Sequence, residues 1–94
     1  MPWYLRDLPA QTALVRATNH LKDARDSKDK DRAKKYCDKA KESLARIKIT
    51  STTSPLDLDQ VISKYRELGA ILEKWQYGDK AKLSYSKANE MRYE

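Results

Sequence analysis

The stretch Tyr65–Ala88, YRELGAILEKWQYGDKAKLSYSKA, decides how this chain folds. With Val61 and Ile62 just before it, Tyr65, Leu68, Gly69, Leu72 and Trp75 recur at spacings of three and four. That spacing gathers them on one face of a helix. Ala81, Tyr85 and Ala88 keep the same period in the second half. Between the halves, Tyr77-Gly78-Asp79 reads as a turn: Gly78 can take the left-handed conformation that ends a helix, and Asp79 can cap the next one. Gly69 lies inside the apolar face, where glycine costs roughly 1 kcal/mol of helix propensity. Its presence there predicts a close helix crossing. Ala81 and Ala88 offer the matching small surface, with Tyr85 as the large residue between them. Tyr65, Trp75, Tyr77 and Tyr85 read as core packing rather than as an aromatic cage.

In Tyr65-x-x-Leu68-Gly69-x-x-Leu72, followed by Ala81-x-x-x-Tyr85-x-x-Ala88, large and small residues fall as in a tetratricopeptide (TPR) unit. Residues 61–91 resemble that family, and residues 10–47 carry a degenerate match. There Ala33-x-x-x-Cys37-x-x-Ala40 repeats the spacing of the later helix, 48 residues earlier against roughly 34 in a regular array. The chain departs from the family in having Tyr65 at the tryptophan position, Leu72 at an aromatic one and Gly78 at the loop aromatic. It also lacks the closing proline after Ala88. The resemblance implies a TPR-like bundle and a protein-interaction or oligomerisation scaffold, of a kind also built into larger multidomain signalling proteins. It further implies a peptide groove made by the first helices of the units. The corresponding outward positions are Ser63, Arg66, Glu67, Ala70, Glu73 and Lys74. The asparagine pair with which some members clamp a terminal carboxylate is absent.

Working outward, 94 residues with 39% hydrophobic and 36% charged side chains suit one small domain with solvated faces. Two glycines, three prolines and no phenylalanine favour helices over a turn-rich β fold. The apolar spacings predict an all-α fold of four helices, near 10–25, 29–47, 55–76 and 79–91, arranged as two antiparallel hairpins. Ala10, Ala13, Leu14, Ala17, Leu21 and Ala24 stripe the first helix. Ala33, Tyr36, Cys37, Ala40, Leu44 and Ile47 stripe the second. Residues 48–54, KITSTTS, read as the linker between hairpins. Ser54, Pro55 and Asp57 then start the third helix as cap, first-turn proline and dipole-favoured acid. Residues 1–9 read as an extended arm restrained by Pro2 and Pro9. Its Trp3, Tyr4 and Leu5 are candidate protein-contact residues alongside Arg66, Glu67, Glu73 and Lys74.

No constellation for chemistry is visible, so the chain reads as non-enzymatic, with no catalytic, cofactor-binding or metal-ligating residues. His20 stands alone at the edge of an apolar stripe, without a nucleophile to activate. Cys37 lies on a helical apolar face and reads as a small buried residue. Asp26-Ser27-Lys28-Asp29-Lys30-Asp31 lacks the glycine and distal glutamate of a calcium loop. A single cysteine, and the absence of an apolar leader, predict a reducing, intracellular setting, the cytoplasm or nucleus. No apolar run approaches membrane-spanning length. Residues 28–48 hold nine Lys or Arg against four Asp or Glu, nearly all of the chain's net +6. The first function class is therefore binding of protein, either a second copy or a partner segment. The alternative is binding of nucleic acid or another acidic surface through Lys34, Lys35, Lys41, Arg46 and Lys48, although Asp38 and Glu42 interrupt that run.

Overall fold

The computed structural model describes the backbone of residues 4–47 and 55–91, and the side chains of 11–47 and 57–91. Among them are four helices and no strand: α1 (Tyr4–Asp26), α2 (Lys30–Ala45), α3 (Pro55–Lys74) and α4 (Gly78–Glu90). The fold is an all-α bundle of two antiparallel hairpins, α1–α2 and α3–α4. The stripes are mostly buried, with Tyr36, Ile62 and Trp75 partly buried against the core and the Ala10 side chain outside the described ones. Ala17, Leu21, Ala24, Ala33, Ala40, Leu44 and Val61 have no accessible surface. Leu68 and Leu72 from α3 and Ala81 and Ala88 from α4 join the same core. Ile71 belongs to it and Leu58 is also buried, although both fall outside the seven residues that define the α3 stripe in the sequence.

α3 is the hub. Among the described residues its backbone approaches those of α1, α2 and α4, whereas the α4 backbone approaches that of α3 alone. Lys30, at the start of α2, lies 4.9 Å from the ring of Tyr77 at the α3–α4 junction. The beginning of α2 therefore meets the end of α3, so these two run in opposite senses and α2 runs in the same sense as α4. By the same reasoning α1 and α3 share a direction. The result is two layers, α1 with α3 and α2 with α4.

The N-terminal boundary corrects the sequence reading. α1 begins at Tyr4, so residues 4–9, expected as an extended arm, are helical. Pro9 sits in the second turn rather than opening the helix. A proline has φ near the helical value, but in the second turn it donates no hydrogen bond to the i−4 carbonyl, here that of Leu5. Met1–Trp3 and the linker 48–54, with the expected cap Ser54, lie outside the described residues.

The α3–α4 turn corrects a second expectation. Gly78 is not left-handed; Gln76 is, with φ 66°. The Tyr77 N–H donates to the Leu72 carbonyl at 2.8 Å, and the Gln76 N–H donates to the Glu73 carbonyl at 3.0 Å. These are the two bonds of a Schellman closure, which needs its left-handed residue two positions after the last helical one. Here that position falls on glutamine. Gly78 becomes the first residue of α4, and Tyr77 occupies the N-cap without a side-chain cap bond. Asp79 supplies acid to the first turn rather than the cap. α2, in contrast, has its cap: the Asp31 N–H donates to Asp29 Oδ1 at 3.3 Å.

Candidate functional site

Because α2 and α4 both lean on α3 and their backbones do not approach each other, a groove of about 370 Å³ opens between them. Its floor is apolar. Tyr65, Leu68 and Leu72 rise from α3, and Cys37 faces in from α2. Leu83 stands on the α4 side with 64% of its surface exposed. The rim is charged: Asp38 and Lys41 on α2, and Lys80, Lys87 and Glu90 on α4.

Two contacts fix α4 on α3. The Ser84 hydroxyl, buried, donates to the Tyr65 carbonyl at 2.7 Å. The Tyr85 ring lies flush against Gly69, where an added Cβ would come within 2.9 Å of two ring carbons. The predicted close crossing is therefore present, with Tyr85 as the large residue in it. The Tyr85 hydroxyl donates to Glu73 Oε2 at 3.1 Å. Burial and then the Glu73 carboxylate raise the pKa of this phenol above its ordinary value. An ion pair spans the groove mouth, Lys80 to Asp38 at 3.4 Å.

At the floor, burial and the neighbouring Asp38 push the Cys37 thiol up to about 11, against a smaller opposing pull from Lys80. The buried environment thus favours the protonated thiol at neutral pH. His20 stacks on Tyr36 with ring centroids 6.5 Å apart. No candidate metal cluster is found among the described residues, and no helix among them is long and apolar enough to cross a membrane.

The positions nominated from sequence are scattered relative to this groove. Arg66, Glu73 and Lys74 are exposed on α3. Glu67 is paired with Lys64 at 3.6 Å and Arg25 at 4.0 Å, and Glu73 is engaged by Tyr85. Trp3 lies outside the described residues. Tyr4 and Leu5 open α1.

The basic set divides over two faces of α2. Lys41 lines the groove, while Arg46 pairs with Glu42 at 3.5 Å on another face. Lys34, one heptad before Lys41, is half-buried, and Lys35 is exposed. Lys48 lies outside the described residues. Sequence reading missed Ser84, Leu83, Lys80 and Lys87. The signal was present, since Lys80, Leu83 and Lys87 recur at three and four, out of phase with the buried Ala81–Ser84–Ala88 stripe. Comparison of the chain with family models, curated proteins and solved structures gives no match.

Proposed function

We propose that this chain is a non-catalytic, TPR-like helical module that binds protein. The observation that carries this reading is the open groove between α2 and α4, with an apolar floor and a charged rim. Pockets that combine an apolar floor with a few placed polar groups are favoured binding sites, and two helices running side by side over a third offer a trough for another helix. The shared direction of α1 and α3, with α2 lodged against α3, supports the likeness to stacked helical hairpins. The resemblance would place a peptide on the first helices of the two hairpins, whereas this groove lies between the second ones.

Leu83→Asp tests the reading, because Leu83 is exposed and its loss leaves the core intact. In affinity capture, wild-type protein should retain a partner that Leu83→Asp releases, while the two proteins melt alike. An identical retained set would remove the groove from the interaction. Turnover of any substrate that disappeared on substituting Cys37 or His20 would overturn the non-enzyme assignment.

A further inference from the structure

Building on the interaction-module reading, we propose that the groove between α2 and α4 receives an acidic amphipathic helix of about three turns. Its length follows from the rim. Groove-lining residues of α4 run from Lys80 to Glu90, ten residues on, which is about 15 Å of helix. A ligand helix of that length presents apolar side chains at i, i+3 or i+4, and i+7. Leu83, 64% exposed, is the apolar side chain that would meet them, above a floor closed by the nearly buried Tyr65, Leu68 and Leu72.

The sign of the occupant follows from the distribution of charge. α2 and α4 together carry nine Lys or Arg against five Asp or Glu, whereas α1 and α3 carry seven of each. The layer that holds the groove is thus net +4 and the opposite layer neutral, while the groove lining itself carries Lys41, Lys80 and Lys87 against Asp38 and Glu90, net +1. On the rim, Lys80 is taken up by Asp38. Lys41 and Lys87 make no ion pair among the described residues, and they face the groove from opposite sides. A ligand with carboxylates along both edges of its apolar stripe meets a lysine on each wall, while Glu90 lies at the far end of α4.

The other occupants fit less well. A second copy related by two-fold symmetry would bring the +4 layer against itself, and like charges facing across an interface oppose association. Among the chain's own residues outside the described stretches, 1–3, 48–54 and 92–94, the single carboxylate side chain is Glu94. None of these segments supplies an acidic amphipathic helix.

The test uses two synthetic 14-residue helical peptides labelled with a fluorophore. They share leucines at positions 3, 6, 7 and 10; one carries glutamates at the flanking positions and the other lysines. Fluorescence anisotropy against the full chain should show the acidic peptide binding at least tenfold more tightly than the basic one. Lys41→Glu/Lys87→Glu should reverse that order, and Leu83→Asp should weaken the acidic peptide, with both variants melting near wild type. Equal affinity for both peptides that is still lost in Leu83→Asp would keep the interaction module and overturn the acidic occupant. Acidic-peptide binding unaffected by any of these substitutions would overturn the site. Binding of neither peptide, with a mass that doubles as concentration rises, would assign the groove to a second copy. Binding of neither peptide by a monomer that instead binds duplex DNA with steep salt dependence would overturn both this occupant and the protein-interaction reading.

Discussion

Gln76 holds a conformation that its side chain opposes. At φ 66° an L residue crowds its own backbone, and glycine does not. The side chain is exposed, so replacing it loses no packing. Gln76→Gly should therefore stabilise the protein by roughly 0.5–1 kcal/mol, net of the greater freedom glycine gives the unfolded chain. Chemical denaturation reads this directly, and a lower midpoint would place the turn in another geometry.

Gly69 works in the opposite direction. Helix propensity alone favours alanine there, but the Tyr85 ring occupies the space of the new methyl. Gly69→Ala should thus bring no net gain, and Gly69→Leu should cost roughly 1–3 kcal/mol through overpacking. In a Tyr85→Ala background the obstacle is gone, and Gly69→Ala should then stabilise by up to about 1 kcal/mol. Additive effects in that double-mutant cycle would refute the contact.

Cys37 links stability to alkaline pH. Its thiol rises from 9.0 to about 11 on folding, so the unfolded chain releases the proton first. The stability this gives is fully present below about pH 9 and is lost as pH climbs toward 11, by up to about 3 kcal/mol. Wild type should lose more stability than Cys37→Ala over that window.

At the scale of the element, the two glycines are separated by what surrounds them. Gly78 has a non-positive φ, and nothing lies within 4 Å of an added Cβ. Gly78→Ala should therefore raise stability by about 0.4–1 kcal/mol through the unfolded state, with the melting transition as readout. A loss would restore the left-handed glycine that the sequence suggests. The helices themselves were legible because each carries an apolar period that only one face can satisfy: Ala17, Leu21 and Ala24 on α1, and Val61, Tyr65 and Leu68 on α3. Their ends were less so. A proline that is tolerated inside a helix looks, in sequence, like one that starts it, which hid the turn from Tyr4 to Leu8. A glycine beside a turn also draws the left-handed assignment to itself, although the hydrogen bonds to Leu72 and Glu73 place it on Gln76.

At the scale of the whole molecule, the groove was not legible as a groove. Periodicity reports which face of a helix is buried, not which neighbours stand apart. Gly69 seats Tyr85 and Ser84 holds Tyr65, which fastens α4 to α3, and the open space lies between α4 and α2. This arrangement also ranks the helices by how firmly they are held. α4 has 13 residues and, among the described residues, its backbone approaches one helix, and an isolated helix of that length is marginal in water. It should open before the rest, so its backbone amides should exchange with deuterium ahead of those of α3 under native conditions. A helix seated in the groove would give α4 a second wall, and occupancy would then register as slowed exchange along Ala81–Ala88. Uniform protection across all four helices would mean that the bundle opens only as a unit, and that α4 is no weaker for standing at its edge.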